Sequence, residues 1–217
     1  MGINSAILGV LCAIWLLPVV GQRTAPREPV AGDRAAASLD DAEKLIQAQR
    51  FAEAEQELQI FAATQTKNPQ FWFDLGFAQA HQENTAAAIS SYQKAVQLAP
   101  SWFEANLNLG LVLAQSGNST SAVPVLRHAL ELKPLTGGKQ ALSKAWEALA
   151  DVLAPGDPRG AADAYDKAAD LNPEKTDALL KAGRMLQKAG DFAAAEHHFR
   201  SAAMKQNPEG MTLLINL

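Results

Sequence analysis

Cysteine occurs once in the 217 residues, at Cys12. Downstream of that position a disulfide framework and a thiolate metal site are both excluded. No run of Lys and Arg forms a basic block, and the formal net charge is -4. The electrostatic footprint that phosphate binding requires is therefore missing, and nucleic acid is not an expected partner. Long β-branched runs are missing too, which leaves almost nothing from which to build a sheet. What is abundant is alanine, leucine, glutamine and charged residues, a mixture that favours helix throughout. Packing between those helices has to supply the stability. The charges segregate: acidic Asp40, Asp41, Glu43, Glu53, Glu55 and Glu57 crowd one early stretch, and Lys175, Lys181, Arg184, Lys188, Arg200 and Lys205 enrich the last. They read chiefly as solvated helix faces.

The N-terminus differs in kind. Ile3 to Val20 is almost wholly apolar and carries no ionised side chain, although Lys and Arg are also missing in front of it. Pro18 interrupts the run and Val19-Val20-Gly21 suits signal peptidase. Residues 1–21 are therefore expected to be a signal peptide cleaved after Gly21, which would place the mature chain in the periplasm or outside the cell. The run approaches the roughly 20 residues that span a bilayer. An uncleaved anchor over residues 3–20 is thus the alternative, and only then is the membrane a partner. Cys12 follows Leu11, where a lipidated cysteine needs a small residue, and reads as an ordinary apolar position. Residues 22–37, with Pro26, Pro29 and Gly32 among alanines and charges, read as a flexible linker.

From residue 38 to residue 217 the chain repeats with a period of 34, the spacing of a helix-turn-helix unit. In the copies at 69–102 and 103–136, Leu75-Gly76 aligns with Leu109-Gly110, Ala88 with Ala122, Tyr92 with Leu126, Ala95 with Ala129, and Pro100 with Pro134. A copy at 142–175 carries Trp146, Leu149-Ala150, Ala161, Tyr165, Ala168 and Pro173, displaced by the inserted Leu135-Thr136-Gly137-Gly138-Lys139. Another, at 176–208, carries Ala182-Gly183, Ala195, Phe199, Ala202 and Pro208. A divergent first copy at 36–68 has Ala42, Ala54, Leu58 and Phe61, and the late Pro69 suggests a longer second helix.

Small residues recur for a physical reason. Gly76, Gly110 and Gly183, with Ala150 as a substitute, stand where the first helix must approach the second, and Ala88, Ala122, Ala161 and Ala195 answer them. Tyr92, Leu126, Tyr165 and Phe199 are expected to fill the space between neighbouring hairpins, contributing about 1.5 to 3 kcal/mol each by burial. Gly117-Asn118, Gly156-Asp157 and Gly190-Asp191 supply a left-handed cap followed by an N-cap, features that Gln49-Arg50 lacks. Pro100, Pro134 and Pro173 end the second helices. Residues 209–217 read as an apolar terminal helix, through Met211, Leu213, Leu214, Ile215 and Leu217, which either tucks against the last hairpin or belongs to a longer array.

These residues resemble the tetratricopeptide repeat, in which a large residue, Leu-Gly, an aromatic, Ala, an aromatic, Ala and Pro mark one hairpin. The resemblance covers nearly everything after residue 38. It implies an all-α fold, a right-handed α-solenoid of about five antiparallel helix-turn-helix repeats, and a concave face lined by the first helix of each hairpin. By position it implies a groove of Gln70, Phe73, Phe77, Ala80 and His81, then Glu104, Leu107, Leu111, Ala114 and Gln115. Lys144, Glu147 and Asp151 follow, then Asp177, Leu180, Arg184, Gln187 and Lys188. Phe73 with Phe77 and Leu107 with Leu111 are each one helical turn apart, and they are expected to form a continuous apolar patch. The alternative is that the phenylalanines are core against the preceding hairpin. The family's carboxylate clamp needs Lys and Asn, whereas Phe77 and Leu111 occupy the ninth place.

Chemistry is harder to find. Gly137-Gly138-Lys139 has neither the earlier glycine nor the Ser/Thr of a phosphate loop, and reads as an inter-repeat loop. His197 and His198 are adjacent, and so diverge by roughly 100° on a helix rather than converging on a metal. Asn118-Ser119-Thr120 fits a glycosylation pattern, but the turn accounts for its Asn. No cofactor, metal site or catalytic group is expected. The chain reads as an exported scaffold that docks a peptide segment or partner subunit, and not as an enzyme. A self-assembling or membrane-anchored assembly factor is the alternative.

Overall fold

The computed structural model describes residues 32–62, 67–174 and 176–216. The expected signal peptide and the greater part of the expected linker lie outside them. Among the described residues there are eleven helices and no strand, and none of the helices is long and apolar enough to cross a membrane. Packing divides the chain into two compact units. The first runs to Pro100 and includes Gln115–Gly117; the second comprises Ser101–Ala114 and everything from Asn118 onward.

The first unit holds α1 (Gly32–Gln47), α2 (Phe51–Phe61), α3 (Pro69–His81) and α4 (Thr85–Leu98). Helix α1 already includes residues 32–37, so the linker reading fails there: Ala35, Ala36 and Ala37 are strong helix formers, and Gly32 stands at the helix start rather than inside it. Ala42, Ala54 and Leu58 are buried at the places expected of a first repeat. Helix α2 is eleven residues, shorter than the 14 of α4, so within the described residues the late Pro69 does not lengthen it. Pro69 instead opens α3 behind Asn68, whose side chain accepts from the N–H groups of Gln70 and Phe71.

The second unit holds α5 (Phe103–Gln115) apart from its last residue, α6 (Ser119–Glu131), α7 (Gly138–Leu153), α8 (Pro158–Leu171), α9 (Asp177–Lys188), α10 (Phe192–Met204) and α11 (Pro208–Ile215). Asn118, Asp157 and Asp191 cap their helices by accepting from the N–H groups of Ser121, Gly160 and Ala194. Gly117 and Gly190 are left-handed, with φ of 79° and 81°. Gly156 is not, and Gln49 and Glu83, at φ 58° and 61°, make the first unit's turns without glycine. Helix α7 starts four residues before the repeat boundary and absorbs Gly138-Lys139 into its first turn. Helix α11 tucks against the last hairpin: Leu213 and Leu214 pack on the core of Leu180, Ala195, Phe199 and Ala202, while Met211 and Ile215 stay exposed.

Three of the hairpins close through a missing side chain. A Cβ added at Gly76 would lie 2.9 Å from the Tyr92 ring, one at Gly110 2.5 Å from Leu126, and one at Gly183 2.4 Å from Phe199. The large residues thus seat on the glycines within their own hairpins and also join the next one, since Leu126 shares a core with Ala141 and Ala145 of α7, and Tyr165 with Ala182 of α9. The gap that a glycine leaves is what admits a ring or a leucine. In the α7–α8 hairpin, which lacks this glycine, Ala150 clusters with Ala161 and Tyr165. The Tyr165 hydroxyl donates to Asp151.

Candidate functional site

In the first unit the implied groove residues lie along α3. Gln70, Phe73, Phe77 and Ala80 are partly buried and His81 is exposed. The rings interlock. Phe73 stacks on Phe77 at 6.4 Å and meets Tyr92 edge-on at 5.7 Å. Phe77 meets Phe51 of α2 edge-on at 6.1 Å, and His81 lies against both Phe77 (4.2 Å) and Phe51 (4.3 Å). The Nδ1–H of His81 donates to the Phe77 carbonyl at 2.9 Å, which fixes the imidazole plane. Phe77 therefore does pack on the preceding hairpin, through Phe51, and both phenylalanines still keep part of their surface open.

Two carboxylates stand on the same two helices as these rings, Glu55 on α2 and Asp74 on α3. Glu55 accepts from the amides of Gln79 (3.0 Å), Gln59 (2.9 Å) and Gln82 (2.7 Å), and Gln82 also reaches the Phe51 carbonyl at 3.3 Å. Asp74 is buried; Gln70 donates to its Oδ1 at 2.8 Å, and its Oδ2 has no hydrogen-bond partner. Burial, reinforced by the negative charge of Glu43, pushes the Asp74 carboxyl up to about 8. The same burial, with Asp74 beside it, raises the Tyr92 phenol.

In the second unit the implied residues do not form one surface. Leu107 is 2% exposed and belongs to the core with Phe103, Leu126, Ala129 and Ala145, so it is not available for contact; Leu111 is half-buried against that core. Glu104 is 3% exposed and accepts from the N–H groups of Leu135 (2.8 Å) and Thr136 (3.4 Å). The inserted loop covers it, which the spacing could not show. Gln115, partly buried, ends α5. Lys144 and Glu147 do come together, lining with Gln140, Ser143 and Asn172 an open cavity of about 150 Å³. Asp151 accepts from Tyr165 and lies 3.5 Å from Lys181; burial first, then the hydrogen bond and negative charge of Asp151, raise the tyrosine. Arg184 pairs with Glu209 of α11, and Lys188 donates to the Ala154 carbonyl at 2.9 Å. Both cations are thus engaged within the chain. Leu180 is core, and Asp177 and Gln187 are at least partly open.

Two features of this unit lay outside the sequence reading. An open groove of about 390 Å³ runs between α6 and α8, floored by Trp146, Leu149 and Leu153 and rimmed by Arg127, Glu131, Asp163 and Lys167. Its only sequence signal is the charge at i, i+4 on two helices one repeat apart. His198 joins α10 to α8: its Nε2–H donates to Asp166 and its Nδ1–H to the Ala194 carbonyl, both at 2.8 Å. Neither acceptor can donate, so the two bonds together require the imidazolium, and the Asp166 contact raises the histidine above its ordinary value. Among the described residues no group of three or more His, Cys, Asp or Glu side chains could hold a metal ion.

Comparison with known proteins bears on the fold. Among solved structures, MamA from Desulfovibrio magneticus RS-1 is 22% identical with a TM-score of 0.70, covering 82% of this chain and 97% of its own. Another MamA crystal structure reaches a TM-score of 0.73 at 22% identity, covering 81% and 93%. YrrB, described as a TPR protein with an unusual peptide-binding site, is 18% identical with a TM-score of 0.70, covering 83% and 91%. No curated protein sequence matches. A tetratricopeptide-repeat profile matches residues 39–101 and 148–211, and a second of the same description matches residues 103–134. With its glycine-seated hairpins and these matches over most of its length, the chain belongs to the tetratricopeptide-repeat family.

Proposed function

We propose that this protein is an exported scaffold without catalytic activity, which binds a peptide segment or partner subunit through the first-helix faces of its hairpins. The observation that carries this reading is the row Phe73, Phe77 and His81 on α3, whose rings are held against Phe51 and Tyr92 yet remain partly open. Rings already fixed by neighbours lose little conformational entropy when a partner covers them, so the surface they bury is realised as affinity. Export is supported by the apolar run Ile3 to Val20. Its expected outcome is a mature chain starting at Gln22 in the envelope or medium; a cytosolic chain retaining Met1 contradicts it.

Titration of candidate partners against Phe77→Asp and Leu111→Asp variants, each checked for helicity, tests the binding face. Phe77→Asp should lose affinity at least tenfold; unchanged affinity in both variants removes the face from the account.

A further inference from the structure

The reading above leaves the partner's chemistry open, and the first unit narrows it. Between residues 39 and 100 eight carboxylates face four cationic side chains, Lys44, Arg50, Lys67 and Lys94. Two of the cations are already placed, Lys44 on Asp41 and Arg50 on Glu53, and a third, Lys94, lies over the Trp72 ring at 3.8 Å. Glu55 shows a different pattern: its bonds come from three neutral amides, so its charge is hydrogen-bonded but not compensated. It stands one helical turn from Phe51, and Gln82 bonds to both Glu55 and the Phe51 carbonyl, which ties this carboxylate to the Phe51, His81 and Phe77 rings. On the same helix as Phe77, one turn back, Asp74 keeps an unpartnered Oδ2 behind Gln70.

Resting on the binding face just proposed, we infer that the partner presents an arginine-bearing segment to the α2–α3 face, its guanidinium stacking on the Phe77–His81 aromatic surface and pairing with Glu55. Arginine suits this arrangement better than lysine because its planar, weakly hydrated cation can lie flat on a ring while its N–H groups point sideways to a carboxylate. A second arginine reaching past Gln70 would supply the donor that Asp74 lacks. Burial holds that carboxyl largely neutral at pH 7, with Glu43 adding to the effect from α1. A nearby cation would favour its ionised form.

The test uses the full chain and a dye-labelled octapeptide of alternating arginine and alanine, with lysine and glutamate analogues, read by fluorescence anisotropy. The arginine peptide should bind about threefold or more tightly than the lysine peptide, and the glutamate peptide should not bind. Raising salt from roughly 0.05 to 0.5 M should weaken binding as the screening length contracts. Glu55→Gln keeps one acceptor oxygen for Gln59 and Gln79, while its new NH2 group faces Gln82, whose side-chain oxygen can turn to accept from it. The variant should weaken the arginine peptide about threefold, with a melting curve recorded alongside to confirm that the fold is kept. Phe77→Ala should erase the preference for arginine over lysine. Equal binding of the two cationic peptides, indifference to Glu55→Gln, or no binding of either overturns the inference. If a native partner still depends on Phe77 while the arginine peptide fails to bind, the face stands and its cationic ligand falls; if Phe77 matters to neither, both fall.

Discussion

Gly183→Ala separates two forces that predict opposite signs. Gly183 lies inside α9, where alanine is the better helix former by about 0.8 to 1 kcal/mol, so propensity alone would stabilise the variant. The added methyl, however, would sit 2.4 Å from Cε1 and 2.8 Å from Cδ1 of Phe199, when ordinary contact starts at 3.4 Å. The ring would have to retreat by about an ångström, and it is 0% exposed among Leu180, Ala195 and Ala202, so it has nowhere to go. Overpacking of this kind costs about 1 to 3 kcal/mol. The sum is a net loss of up to ~2 kcal/mol, or several degrees in melting temperature. Denaturant titration followed by circular dichroism measures it. Gly156→Ala is the control, because nothing lies within 4 Å of its added Cβ and its backbone is not left-handed. Combining Gly183→Ala with Phe199→Leu should recover part of the loss, a coupling that a double-mutant cycle isolates. A more stable Gly183→Ala, or strict additivity in the cycle, would refute the seating of Phe199 on Gly183.

Other perturbations have signs that can be fixed in advance. The Asp74 carboxyl is raised from 3.8 to about 8 in the folded chain, so its contribution to stability is fully present below 3.8, is lost as pH rises, and levels off above about 8. Asp74→Asn should remove that slope, at most ~1.4 kcal/mol per pH unit, and melts from pH 5 to 9 that run parallel to wild type would contradict it. His198 is raised as well, so its contribution is present below its ordinary 6.5 and lost as pH climbs through the folded value. His198→Asn should flatten the fall in stability as pH rises above 6.5, and an unchanged profile in thermal melts would count against the Asp166 pairing. Ala122, 0% exposed, should not tolerate bulk: Ala122→Phe is expected to cost about 1 to 3 kcal/mol in denaturant titration.

Much of the fold is written in local chemistry. A glycine, an alanine or a large residue at a recurring place specifies a close approach of two helices, and Asn118, Asp157 and Asp191 specify helix starts; both kinds of signal depend on near neighbours in the chain. Less legible was which large residue would occupy each glycine's gap, since only coordinates distinguish seating within a hairpin from filling between hairpins. The turns at Gln49 and Glu83 carried no glycine signal, because the surrounding helices impose the left-handed backbone on ordinary residues. The candidate face was half legible. Along α3 the residues implied by position keep open surface, whereas Glu104 is covered by the loop at Leu135 and Thr136, and Leu107 by the core it shares with Ala141 and Ala145. The α6–α8 groove could not be foreseen, since its floor and rims come from three separate helices.

Site-specific photocrosslinking in the native host addresses the face directly. A benzophenone amino acid would replace Phe77 in one variant and exposed Gln93 on α4 in another, both introduced into the full chain. Discrete covalent adducts to another protein should form from position 77 and not from position 93. Adducts from position 93 alone, or equal labelling from both, would contradict a contact surface on α3.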